Sequence, residues 1–472
     1  MLNPARLGLT GRRDFLRLGG LTWGAHALGA LGLNDLLRAN AWAESNIRPV
    51  SGKSVVFLFM HGGPSQIETF DPKMTAPAGV HSVTGEIDTA LSGVTFGSTF
   101  PRLASLANRM TVVRSYQPGN ASHDIKPIVS PDTAKTSLGA IYARIAGSTD
   151  PRSGMPTNCA LYPQAVAPEC QPAKNAFGNF GDTGILGASY APFVPGGGGN
   201  LQNDMKLNLS RARIDDRRAL LAELDRLRRE LETHGAGTGI DAIGAAEKIQ
   251  QQAFDTILGG AVRAFDLSNE DRRTIERYDT APLLTPDQIS SRWRNYNNYV
   301  DHGKSLGKLM LLARRLCESG CGFVSVTTNF VWDNHADVNN CGVEEGMQYC
   351  GRPFDHAVST FIEDVAARGL SDKILLVCCG EIGRTPRINA RGGRDHWGNL
   401  APLILAGGKY GRGQVIGQST SDAGDPLTEP VTTRNLIATV FDHILDVPQV
   451  RLLRGMPPEL MRAITEHSPI GV

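Results

Sequence analysis

The segment Ser54-Val-Val-Phe-Leu-Phe-Met60, followed at once by His61-Gly62-Gly63-Pro64, determines the predicted fold. A short, nearly continuous apolar run is typical of a strand that is buried on both faces of a parallel sheet. The two glycines allow the backbone to bend tightly where the strand ends. The segment therefore predicts a central parallel strand that opens into a loop at its carboxyl end.

Comparable apolar runs recur along the chain, at residues 111–114, 322–327, 373–379 and 401–406. Helical patterns lie between them, at residues 138–145, 304–318, 354–368 and 433–445. Alternation of strands and helices predicts an α/β fold with a mostly parallel sheet and helices on both faces. In such sheets, ligands bind at the carboxyl ends of the strands.

The middle of the chain differs from this pattern. Residues 210–234 form a charged amphipathic pattern with leucines at helical spacing, and residues 241–265 suggest a second helix after a glycine-rich break. We expect a helical insertion at about residues 205–300, lying on the α/β core. A solvated helical hairpin and a surface for a partner helix are the two interpretations of this segment. The glycine run at 196–199 lacks the Lys-Ser/Thr of a phosphate-binding P-loop.

The beginning of the chain has the pattern of an export signal. Thr10-Gly-Arg12-Arg13-Asp-Phe-Leu-Arg17 precedes a weakly apolar stretch and a small-x-small cleavage site that ends at Ala43. We expect residues 1–43 to be a twin-arginine signal peptide and residues 44–472 to be the mature domain. An ordinary basic amphipathic N-terminus is the alternative. The partner implied is the twin-arginine translocation machinery, and the destination is periplasmic or extracellular.

Composition excludes several partners. The formal net charge is +1, with 41% hydrophobic and 20% charged residues. These values are ordinary for a globular protein and give no reason to expect nucleic acid or an anionic membrane as a partner. Because no segment after the signal reaches the apolar length of a membrane span, we expect no stable membrane anchor.

The eight cysteines are compatible with an oxidising compartment. Cys159 with Cys170, and Cys341 with Cys350, are spaced so that each pair could close a short disulfide. Cys317 and Cys321 favour a core or surface role over a metal site, and no Cys-x-x-Cys motif supports a redox enzyme.

Polar clusters follow the predicted strands, and this repeated placement indicates a site. His61 follows the first strand, and Ser122 and His123 lie after the run at 111–114. Later clusters contain Asp333 with His335, Glu381 with Arg384, and Arg394-Asp395-His396. Carboxylate and imidazole donors without cysteine suit zinc, manganese or iron, with magnesium or calcium at oxygen-rich subsites.

Each cluster also has a structural interpretation when it is taken alone. A single histidine is often a hydrogen-bonded core residue, and Glu381 with Arg384 would make a buried ion pair. Ser122 would serve as a turn or helix-cap residue. The recurrence of these clusters at equivalent topological positions favours a divalent metal site.

The motifs, taken in order, resemble one known family. They are Met60-His-Gly-Gly-Pro-Ser-Gln-Ile-Glu-Thr-Phe-Asp-Pro72, Ala264-Phe-Asp-Leu-Ser268, Leu311-Leu-Ala-Arg-Arg-Leu316, Trp332-Asp-Asn-His335, Gly380-Glu-Ile-Gly-Arg-Thr-Pro386 and Gly393-Arg-Asp-His-Trp397. The chain resembles the exported family catalogued as domain of unknown function 1501, which is sulfatase-like and sits in the alkaline-phosphatase superfamily.

The resemblance implies divalent metal at the carboxyl edge of the sheet. It implies Asp333, His335, Glu381 and His396 as metal ligands. His61, a further candidate ligand, stands where the superfamily commonly has an aspartate. It also implies Ser122 as the candidate nucleophile. In the hydrolysis hypothesis, Arg384 holds the anionic group and His123 or His61 serves as acid or base. No Cys-x-Pro-x-Arg sulfatase signature is present, so formylglycine chemistry is not expected.

These expectations lead to one functional hypothesis and one rival. The hypothesis is an exported, metal-dependent hydrolase of anionic phosphate or sulfate esters. The rival is a non-catalytic exported binding or scaffold protein on the same fold.

Overall fold

A computed structural model describes residues 47–150, 152–196 and 261–471. The predicted signal peptide and most of the predicted helical insertion, from about residue 205 to residue 260, lie outside the described residues. Two compact units account for the chain. One comprises residues 1–48 and 452–454, of which only Ile47, Arg48 and Leu452–Arg454 are described. The other comprises residues 49–451 and 455–472 and contains the central sheet.

A seven-stranded sheet forms the centre of this unit. Its strands, in chain order, are β1 Ser54–Phe59, β2 Met110–Val113, β3 Asn158–Leu161, β4 Phe323–Val326, β5 Ile374–Cys379, β6 Leu403–Ala406 and β7 Gln414–Ile416. In space the order is β7-β2-β6-β5-β1-β4-β3. All strands run in one direction except β6, which is antiparallel to both of its neighbours. The mostly parallel α/β fold expected from the sequence is confirmed.

Helices cover the sheet on both faces. The longer ones are α1 Leu138–Ala146, α2 Tyr296–Glu318, α3 Arg352–Ala367, α4 Thr433–Ile444 and α5 Pro458–Thr465. Shorter α-helices occur at Gln66–Thr69, Pro101–Ser105, Val262–Phe265, Arg272–Tyr278, Val343–Gly346 and Val447–Val450. Among the described residues, no helix is both long and apolar enough to span a bilayer.

The alternation of β1 side chains explains why the sheet needs two helical layers. Val56 and Leu58 belong to the core that includes the leucines of α2 and the aromatic residues of α3. Val55 and Phe57 are just as buried on the opposite face, where α1 and α4 pack. Successive strand residues point to opposite faces, so a strand that is apolar throughout must be covered twice.

The cysteine placement differs in part from the sequence expectation. The two disulfides that the spacing allowed, Cys159 with Cys170 and Cys341 with Cys350, are not formed, and all eight cysteines are buried and unpaired in the structure. Cys159 lies within strand β3. Cys378 and Cys379 lie within buried strand β5, as expected.

The antiparallel strand determines which loops reach the carboxyl edge of the sheet. β5 ends at this edge, and β6 begins at the same edge because it runs in the opposite direction. The whole connection from Gly380 to Pro402 therefore lies beside the loops that follow β1 and β4. This arrangement brings two separate sequence motifs, those of Glu381 and His396, to one place.

Candidate metal centre

The turn after β1 forms the floor of the site. Gly62 has a φ of +111°, and a Cβ on it would lie 2.6 Å from the backbone nitrogen of Asp333. The carbonyl of His61 accepts hydrogen bonds from the backbone nitrogens of Val331 and Trp332. Only glycine allows the loops after β1 and β4 to approach this closely.

A second close approach joins the loops that carry two of the site histidines. The backbone nitrogen of Gly119 donates to the carbonyl of Gly398 at 3.0 Å. A Cβ at Gly398 would lie 2.6 Å from the backbone carbon of Asn120. The loop that carries His123 and the loop that carries His396 are therefore packed backbone against backbone.

Three side chains from three loops converge at one point. Nε2 of His123 lies 2.9 Å from Nε2 of His396, and Oδ1 of Asp333 lies 3.4 Å from the first and 3.2 Å from the second. We call these three atoms the ligand triangle. Ligands about 2.0–2.1 Å from a tetrahedral ion are about 3.3 Å apart, so the triangle has the dimensions of a zinc-type site. No other group of His, Cys, Asp and Glu among the described residues is gathered in this way.

Glu381 fixes the orientation of His123. Its Oε1 accepts a hydrogen bond from Nδ1 of His123 at 2.7 Å, and its carboxylate also accepts from the backbone nitrogen of Gly62. A carboxylate only accepts, so the proton of a neutral His123 is held on Nδ1 and the lone pair of Nε2 faces the triangle. This carboxylate–histidine arrangement is the usual support of a metal-ligating imidazole.

The electrostatics of His123 and Asp333 reflect this crowding. Burial alone would favour the neutral ring of His123, but hydrogen bonds with Asp333 and Glu381 raise its pKa above the usual value. Burial also opposes the charge of Asp333, yet the neighbouring Arg384 and three histidines hold the pKa of this carboxyl far below its usual range. The carboxylate of Asp333 is therefore ionised at neutral pH.

Arg384 is enclosed by protein acceptors. Its guanidinium donates to Oδ1 of Asp333 at 2.7 Å and to the carbonyls of Gly62, Gly63 and Arg394. The residue is only 1% exposed. The side chain predicted to grip an anionic group is occupied in holding the loops together. Its role in binding substrate stays a prediction that this geometry does not favour.

The remaining predicted ligands lie around the triangle. Nε2 of His335 is 3.0 Å from Oδ2 of Asp333, the carboxylate oxygen that does not face the triangle. His61 is buried, and its ring packs against Phe177, Phe180 and Phe330, with an Nε2 that has no hydrogen-bond partner. Burial lowers the pKa of His61 to about 4, so its ring is neutral at neutral pH.

The predicted nucleophile, Ser122, lies beside the site in the chain but is exposed. Its backbone nitrogen is bonded to Asn120, and its carbonyl accepts from the buried Nζ of Lys126. Among the described residues, no serine or threonine hydroxyl is hydrogen-bonded to a member of the triangle. The turn interpretation of Ser122 fits these contacts.

Three features of the site were not anticipated from the sequence. His123 was expected to act as acid or base, whereas the structure places it at a corner of the triangle. Asn340, which donates to Oδ2 of Asp333 at 2.9 Å, and Lys174, at the aromatic wall of the site, drew no prediction. The pattern Asn-Ala-Ser-His-Asp after a strand was the available signal for His123. Lys174 lies far from any predicted strand and gave none.

Known families provide the comparison for this architecture. The family model described as a protein of unknown function, DUF1501, matches residues 52–461, which include β1 and every residue of the triangle. The chain belongs to this family. The resemblance noted in the motifs is thereby confirmed, and the match to DUF1501 includes nearly all of the described unit. No curated protein matches the chain.

Solved structures with a related arrangement are only distantly similar to this DUF1501 protein. They include the PsFucS1 sulfatase from Pseudoalteromonas sp., at 10% identity and a TM-score of 0.34, covering 86% of this chain and 70% of that one. The phosphonate monoester hydrolase SpPMH from Silicibacter pomeroyi has 10% identity and a TM-score of 0.34, covering 83% and 73%. The lipoteichoic acid synthase LtaP from Listeria monocytogenes has 8% identity and a TM-score of 0.28, covering 80% and 74%.

Proposed function

We propose that His123, Asp333 and His396 bind one divalent metal ion through the atoms of the ligand triangle. The observation that carries this proposal is the separation of the three atoms, 2.9, 3.2 and 3.4 Å, which matches a tetrahedral site. Two imidazoles and a carboxylate suit zinc or manganese. Three protein ligands also leave a coordination position for water or substrate, as catalytic zinc sites do.

We further propose that the site hydrolyses phosphate or sulfate esters. A bound divalent ion would polarise the ester oxygen and lower the pKa of water. The His396 side chain is 35% exposed and that of His123 is 10% exposed, so one side of the triangle is open to a ligand. The buried side is closed by Arg384 and Glu381.

The chain's own residues suit attack by water. His335 donates through Nε2 to Asp333, which leaves its Nδ1 as a base on a side chain that is 20% exposed. In the proposed step, His335 takes a proton from the attacking water as the water oxygen bonds to phosphorus or sulfur. The bond from that atom to the ester oxygen breaks, and the leaving oxygen takes a proton from solvent water to become the alcohol. Because no hydroxyl of the described residues contacts the triangle, we assign no covalent serine intermediate.

Export by the twin-arginine pathway remains part of the proposal. It rests on the sequence of residues 1–43 and places the mature protein in the periplasm or outside the cell. A protein that acquires its metal before export would use a pathway that carries folded chains.

One observation favours the rival function, a metal-containing binding or scaffold protein. Ser122 is exposed, and Arg384 is sealed by backbone carbonyls, so two residues expected to act in catalysis are not arranged to do so. The rival keeps the metal and loses the hydrolysis, and the two proposals are therefore separated by experiment.

The test combines metal analysis with kinetics on the purified mature chain. We expect about one zinc or manganese per chain, and hydrolysis of an aryl phosphate or an aryl sulfate. His123→Ala and His396→Ala should each lower the metal content to background, whereas His467→Ala, a histidine outside the site, should not. His335→Ala should retain metal and lose most of the turnover.

The outcomes distinguish the two functions. A metal-free wild-type chain would contradict the metal site. A fully loaded chain that is inert toward both esters would support the scaffold function instead of hydrolysis.

A further inference from the structure

One wall of the site is a stacked pair of aromatic rings. Phe177 and Phe330 lie with ring centroids 4.5 Å apart and an interplanar angle of 23°. The ring of His123 packs edge-on against Phe330, with centroids 4.7 Å apart. Nζ of Lys174 lies 5.8 Å from the same Phe330 centroid. A metal-ligating histidine and an ammonium group therefore share one aromatic neighbour.

Lys174, which is half-buried, differs from the buried cations near the triangle in its free donor capacity. Nζ of Lys126 donates to Asn120, to the Ser122 carbonyl and to Asp124, and the guanidinium of Arg384 is likewise fully engaged. Within the described residues, Nζ of Lys174 has one acceptor, Oδ1 of Asn295 at 3.0 Å. An ammonium group has three N–H donors, so Lys174 has donors left for a ligand.

Two amide side chains link Lys174 to the ligand triangle through hydrogen bonds. Nδ2 of Asn295 donates to Oδ1 of Asn340 at 2.7 Å, and Nδ2 of Asn340 donates to Oδ2 of Asp333 at 2.9 Å. Each amide is oriented by the bonds that it makes on both sides. The ammonium is thus linked through two side chains to the carboxylate whose other oxygen belongs to the ligand triangle.

The charge of Lys174 is coupled to the site. Burial lowers the pKa of Lys174, and the carboxylate of Asp333 opposes this effect. The positive charge of Lys174 is in turn one of the causes that lower the pKa of His61. An ammonium that is partly stripped of water pairs strongly with an anion.

We propose that Lys174 binds the tetrahedral oxyanion group, phosphate or sulfate, of the ligand at the metal centre. This inference rests on the proposed function and deepens it, because it assigns the anion-binding role to Lys174 in place of Arg384. It also assigns the substrate class: esters whose group at the metal carries a negative charge, and not neutral esters, for which the ammonium would have no partner.

The test measures anion binding directly and separately from turnover. Inorganic phosphate and inorganic sulfate are titrated calorimetrically into the purified mature chain, whose metal content is determined on the same sample. We expect Lys174→Met to weaken binding of the preferred anion by about 10- to 100-fold, because a hydrogen bond between charged groups is lost. KM for the anionic ester should rise by a similar factor while metal content stays unchanged. Lys174→Arg should restore part of the binding.

The matched control is Lys304→Met, which removes a half-exposed lysine paired with Glu169. This variant should bind phosphate and sulfate as the wild type does. Equal anion binding by wild type and Lys174→Met, or no binding of either anion by the wild type, would overturn the assignment of Lys174. Loss of metal from the wild-type protein is read from the metal analysis and counts against the metal site, so the two failures are distinguishable.

Discussion

Two of the charge clusters among the described residues differ in composition. One is the candidate metal centre, where the carboxylates of Asp333 and Glu381 contact mainly imidazoles. The other, which we call the arginine network, joins α2 and α3 to the segment before them. It consists of three arginines and three acids, Arg314, Arg315, Arg368, Glu270, Glu318 and Asp364.

The arginine network is closed. Nη2 of Arg314 lies 2.6 Å from Glu270, and its Nε lies 3.0 Å from Asp364, while Arg368 reaches the same two acids from the other side. Arg314 is 1% exposed. Equal numbers of permanent opposite charges leave nothing for a ligand to neutralise, so the network serves the packing of the helices.

The metal centre is open by comparison. Two imidazole nitrogens face each other at 2.9 Å, an arrangement in which one proton or one metal ion must lie between them. Guanidinium groups cannot give up a proton to make room for a cation, whereas imidazoles can. The type of cationic partner, and not burial or the number of charges, therefore distinguishes a ligand site from a structural ion network here.

The largest effect on stability is expected from the removal of Arg314. Arg314→Met leaves Glu270 and Asp364 buried with fewer partners, and we expect a loss of about 3–5 kcal/mol in the free energy of unfolding. Metal content should not change. Urea denaturation measures the loss, and Arg272→Met, which removes an arginine that is 90% exposed, is the control. A loss below about 1 kcal/mol, the size expected of a surface pair, would show that the network is not closed as described.

A second prediction concerns how the contribution of Glu270 to the free energy of unfolding changes at low pH. Burial opposes the charge of Glu270, but hydrogen bonds from Arg314 and Arg315 lower its pKa to about 2, from an ordinary value of 4.5. The unfolded chain therefore binds the proton first. The stabilisation is complete above about pH 4.5 and is lost as the pH falls toward 2, up to about 3 kcal/mol.

The measurement is the difference in unfolding free energy between wild type and Glu270→Gln from pH 3 to pH 7. This difference should be largest at neutral pH and should shrink in acid. Glu276→Gln, a change at a more exposed helix residue, should show no such trend. A difference that is independent of pH would contradict the pairing of Glu270 with the arginines.

The third prediction concerns the effect of Glu381 on metal affinity at the candidate metal centre. Glu381→Gln keeps the shape of the side chain but removes the charge that supports Nδ1 of His123. We expect metal affinity to fall by about 10- to 100-fold, as for other carboxylates behind a ligating histidine. Competition with a chelator measures the affinity, and Asp395→Asn, an exposed neighbour of His396, is the control. Complete loss of metal would instead make Glu381 a direct ligand, as the sequence had suggested.

Much of the fold follows from the sequence. The apolar runs located β1, β2, β4, β5 and β6 to within a few residues, because a strand buried on both faces excludes polar side chains. β3 and β7 were not anticipated, since Asn158–Leu161 and Gln414–Ile416 are short and contain polar residues. The reversed direction of β6 was also hidden, because an apolar run looks the same in either direction.

The sequence predicted which residues lie near one another at the site, but not how their side chains are arranged. The sequence brought His61, His123, Asp333, Glu381 and His396 to one edge of the sheet through their positions after strands. The sequence did not show whether Glu381 would bind the proposed ion or Nδ1 of His123, because these two positions differ by a few ångströms within one loop. Nor did it show that backbone carbonyls of the turn after β1 would enclose Arg384.

The reversal of β6 has a consequence for how this protein changes over time. A single stretch of fewer than twenty residues, from Glu381 to His396, supplies two of the centre's side chains, and they meet opposite ends of the same His123 ring. An insertion or deletion between them changes how the two side chains are placed relative to each other. A single mutation in this connection therefore alters the site while the strands of the sheet are unchanged.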